Sequence, residues 1–110
     1  MLKDTVSKLE AAIQKIHTMD TENKAELVKL LSALQSEVVS LDKTHAEHAR
    51  SIAGFAEAAA HEVSRSKKSV ELHRLSLEGL SASVKGFEVS HPALVETVNE
   101  ICSMLARIGI

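Results

Sequence analysis

The chain has 110 residues, of which 45% are hydrophobic and 25% charged, and its formal net charge at pH 7 is −2. This apolar fraction and near-neutral charge disfavour a disordered chain, and the slight acidity argues against general affinity for nucleic acid. With two aromatic residues and one proline, a β-sandwich or barrel is also disfavoured, because strands draw on aromatic residues and their turns on Gly and Pro.

The first predicted helix covers residues 2–17. Apolar side chains recur there at spacings of four and three, which only an α-helix places on one face. Asp20 then suits the N-cap of a second helix, and Glu22 suits the positive end of that helix dipole. The stripe of the first helix consists of Leu2, Val6, Leu9, Ile13 and Ile16.

A single long helix is predicted over residues 21–86. Its apolar stripe runs from Leu27 to Phe87 with the period of a coiled coil and carries His45 and His48 among its positions. No proline, Asn-Gly or Asp-Gly turn interrupts this stretch until Gly86. Isolated glycines weaken a helix by about 1 kcal/mol each without ending it, so we expect one continuous helix close to 100 Å long, at about 1.5 Å per residue.

The last predicted helix covers residues 91–108. Ser90 suits its N-cap and Pro92 its first turn, where the missing N–H of proline is not needed. Val89 is placed to contact Leu94 as a hydrophobic staple. The chain is therefore predicted to be one helical domain, with a short helix on each side of a very long one.

This all-α arrangement leaves the middle of the long helix uncovered, because two short helices reach only its ends. The middle, residues 46–60, is rich in alanine. We therefore expect an antiparallel coiled-coil homodimer with its two-fold axis near Gly54 and Phe55 and a four-helix bundle at each end. The alternative is a monomeric four-helix bundle in which the long helix folds back near Gly54.

Histidines on the apolar stripe suggest one possible site. In the antiparallel dimer, His45 and His48 of one chain would face His61 of the other, and such a cluster could bind zinc or copper. A structural alternative is that these polar core residues set the register of the coiled coil. Their protonation would also place like charges together, which would make the core responsive to pH.

Residues 87–94 read Phe-Glu-Val-Ser-His-Pro-Ala-Leu, and the chain ends in Ile-Gly-Ile. This pattern, together with Met-Asp-Thr-Glu at residues 19–22, resembles the signature of a family of short bacterial proteins classed as a domain of unknown function. The resemblance implies a small, helical, bacterial protein and no particular activity. The residues of the signature that could form a turn and a partner-binding surface are Phe87, Ser90, His91 and Pro92.

No catalytic constellation stands out, and we expect a protein that is not an enzyme. Ser90 and His91 are sequence neighbours, which do not face each other on a helix, and Cys102 lies beside the core stripe. A lone cysteine and the lack of a spanning apolar segment of about 20 residues favour a cytoplasmic protein without a membrane partner.

The predicted function is that of a protein-interaction or scaffolding module that acts as a homodimer. Its partner is an unidentified protein, docked at the end bundles, and no cofactor is expected. The alternative is a small metal- or pH-sensing helical protein that uses His45, His48 and His61, with zinc or copper as the metal.

Overall fold

The structure is a computed structural model that describes residues 20–107 and, before them, residues 7, 10, 11 and 14. Four α-helices and no strands occur between residues 20 and 107, which confirms the all-α prediction. The helices are α1 (Thr21–Asp42), α2 (Ala46–Ser64), α3 (Val70–Ser83) and α4 (Pro92–Arg107).

The four helices form a bundle in which α1 packs on α2, α2 on α3, α3 on α4 and α4 on α1. Consecutive helices run antiparallel. Phe55 of α2 lies against Gly79 of α3, and the Cys102 thiol of α4 is 3.8 Å from the Leu77 carbonyl oxygen of α3. The α1–α2 and α3–α4 turns therefore lie at one end of the bundle, and the α2–α3 turn lies at the other.

The core is built from one stripe of each helix. Leucines dominate α1, whereas α2 contributes mainly alanines, whose small side chains let the neighbouring helices approach closely. The alanine-rich segment is thus covered within a single chain. The largest fully buried side chains are Leu27, Leu41, Ile52, Leu80, Leu94, Val98 and Ile101.

The continuous helix predicted over residues 21–86 is wrong, because the chain turns twice within it. At the first turn, the Thr44 hydroxyl donates to the Leu41 carbonyl oxygen at 3.4 Å, and the His45 N–H donates to the same oxygen at 2.7 Å. Such local bonds compete with the helical pattern. The turn places Ala49 in the core and leaves His45 and His48 exposed. Two polar side chains that the continuous helix would have buried are thereby kept out of the core.

The second turn separates α2 from α3. Arg65 is extended, with φ −61° and ψ 139°, and Ser69 caps α3 by accepting a hydrogen bond from the Leu72 N–H at 3.2 Å. The polar run from Ser66 to Ser69 cannot continue the apolar stripe, and the cap starts a new helix. Folding back here buries the apolar stripes of α2 and α3 on each other.

Gly54 does not break the chain either. It lies within α2, and a Cβ added at this position would meet no atom within 4 Å. The alternative of a bundle that folds back at Gly54 is therefore wrong in the position of the turn. The antiparallel dimer centred on Gly54 and Phe55 also loses its basis, because it required the continuous helix.

The structure confirms some of the features predicted at the helix ends and corrects others. Asp20 is the predicted N-cap of α1 and accepts a hydrogen bond from the Asn23 N–H at 2.7 Å. Gly86 has φ 97°, the left-handed conformation that favours glycine, in the turn after α3. The staple at the start of α4 is wrong, because Val89 is 95% exposed.

Two further predictions concern the chain ends. The helix predicted over 91–108 corresponds to α4, which begins at Pro92 and is preceded by His91, one residue after the predicted Ser90 cap. Of the helix predicted over 2–17, residues 7, 10, 11 and 14 are helical, and the rest lies outside the described residues. In the described part of the chain, no helix is both long and apolar enough to cross a membrane.

Candidate functional site

The candidate site lies at the end of the bundle where two turns meet. The α1–α2 turn supplies His45, and the first turn of α2 supplies His48. The α3–α4 turn supplies Phe87 and His91. These four residues are called the histidine–phenylalanine cluster here. It unites two groups of residues that the sequence analysis treated separately.

Phe87 is at the centre of this cluster. Its ring centroid lies 5.6 Å from that of His45, 5.3 Å from that of His48 and 5.4 Å from that of His91. All three contacts are edge-to-face, the arrangement that aromatic rings prefer. The His45 ring centroid is also 6.2 Å from that of His48 and 6.1 Å from that of His91.

The α3–α4 turn holds Phe87 in place. The Phe87 N–H donates to the Val84 carbonyl oxygen at 3.2 Å, and the Phe87 carbonyl oxygen accepts from the His91 N–H at 2.8 Å. The Gly86 N–H donates to a carboxylate oxygen of Glu88 at 2.8 Å. Phe87 is consequently only 7% exposed and joins the core.

Hydroxyl groups orient two of the imidazole rings. The Thr44 hydroxyl oxygen lies 2.8 Å from Nδ1 of His45, and the Ser90 hydroxyl oxygen lies 2.9 Å from Nδ1 of His91. Which atom donates in each of these contacts depends on the tautomer of the imidazole.

The contact between Ser90 and His91 corrects the prediction that these neighbours do not face each other. Both residues lie in the turn before α4 rather than inside a helix, so the helical spacing rule does not apply to them. Among the described residues no carboxylate contacts the His91 ring, so the pair lacks the third group that orients the base in a nucleophilic triad.

The predicted metal ligands are only partly brought together. His45 and His48 share the cluster, whereas His61 lies in the last turn of α2, about 20 Å from His48 at about 1.5 Å per helical residue. Within the described residues, no three side chains of the ligand types His, Cys, Asp and Glu are placed to hold a metal ion. Phe87 contacts all three imidazoles and offers no ligand atom.

Two titratable groups outside the cluster have perturbed pKa values. Burial raises the pKa of the Glu37 carboxyl, a hydrogen bond from the Thr97 side chain opposes this effect, and the nearby Glu96 charge adds to it. Burial also raises the pKa of the Cys102 thiol, which lowers the fraction present as the reactive thiolate.

A family comparison gives a clear result for the whole chain. The model of the family described as "Domain of unknown function (DUF4404)" matches residues 2–110. The chain belongs to this family. The match agrees with the resemblance to a family of unknown function noted in the sequence. No curated protein and no solved structure matches the chain.

The side of the bundle carries an exposed apolar face that was not predicted from the sequence. Phe55, Leu72 and Leu75 are each more than two-fifths exposed, although they are large hydrophobic residues. The signal was present in the sequence, because Leu72 and Leu75 fall beside the predicted core stripe rather than on it. In the predicted continuous helix, Leu72 and Leu75 would have been far from Phe55, so their proximity was not expected.

Proposed function

We propose that the chain is a non-enzymatic protein-interaction module that binds a protein partner at the end of the bundle carrying the histidine–phenylalanine cluster. The observation that supports this proposal most strongly is that two turns bring the exposed His45 and His48 against the buried Phe87, two residues before a Val89 that is 95% exposed. Packing of the turn alone does not require a valine that is 95% exposed. Loops held by a rigid scaffold are common binding elements.

The chemistry of this surface indicates the kind of partner. Val89 is 95% exposed and offers an apolar contact, while His45, His48 and His91 can donate or accept hydrogen bonds. Ser90 and Pro92 border the same turn. A protein segment with one apolar side chain flanked by polar groups fits this combination. Association of the module into a homodimer is part of the same proposal.

The test is direct binding of a purified partner, found by crosslinking from a photoreactive residue at position 89. We expect Val89→Asp to weaken binding about tenfold or more, because it buries a charge against an apolar contact. Val70→Asp is the matched control, since Val70 is also highly exposed but lies at the start of α3, at the other end of the bundle. Equal binding by both variants would contradict the proposed surface.

A second candidate function is pH sensing, and it rests on the distances within the same cluster. Ring centroids of 6.1 Å and 6.2 Å mean that protonation of two imidazoles would bring like charges together, at a cost of about 1 kcal/mol per pair. The charged residues near these turns are Asp42, Lys43, Glu47, Lys85 and Glu88.

This candidate predicts that acidification from pH 7.5 to 5.5 destabilises the protein and that the triple variant His45→Gln, His48→Gln, His91→Gln is less sensitive. His73→Leu is a necessary control, because His73 is buried and both ring nitrogens lack hydrogen-bond partners. If His73→Leu alone removes the acid sensitivity, the cluster is not the sensor. Repeating the titration with zinc, copper or a chelator tests the metal-sensing form of the same idea.

A further inference from the structure

We propose that a second copy of this chain docks on the exposed face between α2 and α3, in an antiparallel arrangement about a two-fold axis that crosses α3 near Ser76. This inference rests on the proposed homodimer and names its surface. The face is called the α2–α3 face here. It consists of Phe55, Ala58, Leu72, Leu75 and Gly79.

These residues form one continuous surface. Phe55 lies over Gly79, where an added Cβ would overlap the phenylalanine ring. Because α2 and α3 run antiparallel from that contact, Ala58 lies level with Leu75. Leu72, Leu75 and Gly79 follow helical spacings of three and four, so they share one side of α3. Three large side chains on this surface are exposed by 43% (Phe55), 45% (Leu72) and 46% (Leu75).

The charges beside this face are self-complementary. Arg74 and Glu78 form an exposed ion pair of 2.9 Å within α3, one turn apart. An antiparallel two-fold axis midway between them brings Arg74 opposite Glu78 of the partner subunit, and the reverse pair follows by symmetry. Leu75 then lies within one residue of the axis, so the two copies of its side chain meet at the centre.

This complementarity favours a second copy over an unrelated partner. An isologous contact pairs a patch with itself, so its electrostatic contribution is favourable only when the patch carries both signs of charge. Arg74, Glu78 and the three exposed hydrophobic residues meet this requirement. By contrast, Val39 is the one exposed large hydrophobic residue within Thr21–Asp42, the range of α1.

The first experiment measures the dissociation constant of the dimer by sedimentation equilibrium. We expect the purified chain to dimerise and Leu75→Asp to weaken the dimer about tenfold or more, because a charge enters the centre of an apolar contact. Val39→Asp on α1 is the matched control, since Val39 is 48% exposed and should leave the dimer unchanged. Circular dichroism of each variant shows whether the helices are intact.

The second experiment tests the register. Arg74→Glu and Glu78→Arg should each weaken the homodimer roughly threefold or more, because each variant places like charges across the axis. An equimolar mixture of the two variants should form heterodimers in preference to either homodimer, as measured by native mass spectrometry with one chain isotopically labelled. A pair that acts only within its own helix would show no such preference.

The outcomes separate this proposal from the binding function. A chain that stays monomeric at high concentration, or a dimer that survives Leu75→Asp, would overturn the α2–α3 face as the dimer surface. Dimerisation is measured on the purified chain alone, whereas partner binding depends on Val89 at the bundle end. Partner binding at Val89 and dimerisation through the α2–α3 face can therefore fail independently, whereas a monomeric chain would overturn the proposed homodimer together with its surface.

Discussion

At the residue scale, two glycines in helices illustrate how the same residue serves different purposes. Gly54 in α2 has open space around its Cα, whereas a Cβ at Gly79 in α3 would overlap the ring of Phe55. Glycine costs a helix about 1 kcal/mol relative to alanine. Only at Gly79 does the packing of a neighbouring side chain offset that cost.

We predict that Gly54→Ala raises the free energy of unfolding by about 0.5–1 kcal/mol, because it gains helix propensity without a clash. Gly79→Ala should gain less or destabilise the protein, since Phe55 must move. In a Phe55→Ala background the same substitution should recover the full gain. Urea unfolding followed by circular dichroism measures all three effects, and an equal gain at both glycines in the native background would contradict the argument.

Glu37 provides a pH-dependent prediction at the same scale. Its Oε1 atom is buried without a hydrogen-bond partner, and burial raises the pKa of its carboxyl above the ordinary value of 4.5. A raised pKa in the folded state means that the folded protein holds this proton more tightly than the unfolded chain. The contribution of Glu37 to the free energy of unfolding is therefore fully present below pH 4.5, and it is lost as the pH rises through the pKa of this carboxyl in the folded protein.

The variant Glu37→Gln cannot lose a proton, so we expect it to be more stable than the native chain at neutral pH. The advantage should disappear below about pH 4.5, where native Glu37 is also neutral. Denaturant titrations between pH 3.5 and 7.5 measure this difference. Glu100→Gln, at an exposed position of α4, is the control and should show no comparable pH-dependent gain.

At the element scale, the apolar periodicity predicted the helical class and the stripe Leu27, Leu31, Leu34, Val38 and Leu41 correctly. It missed the turns because neither contains proline or glycine. Hydrogen bonds of Thr44 and Ser69 shape these turns, and hydroxyl residues also occur inside helices. The candidate site was hidden for the same reason, since His45 and His91 approach each other only after the chain folds back.

Ser69 allows a test of this local signal. Ser69→Ala should lower the free energy of unfolding by about 1 kcal/mol, because the Leu72 N–H loses the acceptor at 3.2 Å. Ser36→Ala is the matched control, since Ser36 lies inside α1 and its hydroxyl donates to the Ser32 carbonyl oxygen at 3.4 Å. That substitution should stabilise the helix by a few tenths of a kcal/mol. Equal effects of the two substitutions would show that Ser69 is not acting as a cap.

At the scale of the whole molecule, the closed ring of four helices predicts cooperative unfolding. Within residues 20–107, each helix packs on two others, which together cover its apolar stripe. Loosening one helix should therefore release its diagonal counterpart as well. Ile52 in α2 and Cys102 in α4 are suitable for a test, because their helices lie across the ring from each other.

Ile52 is fully buried, so Ile52→Val should cost about 0.5–1.5 kcal/mol. The Cys102 thiol is half-buried against the Leu77 carbonyl oxygen, and burial raises its pKa, so alkylation should be slow in the folded state. If the bundle opens as one unit, Ile52→Val should accelerate alkylation of Cys102 roughly 2- to 12-fold, the factor that corresponds to the lost stability. Val89→Ala, at an exposed position, should leave the rate unchanged. A rate unaffected by Ile52→Val would mean that α4 opens independently of α2, and the ring would then be less cooperative than its packing indicates.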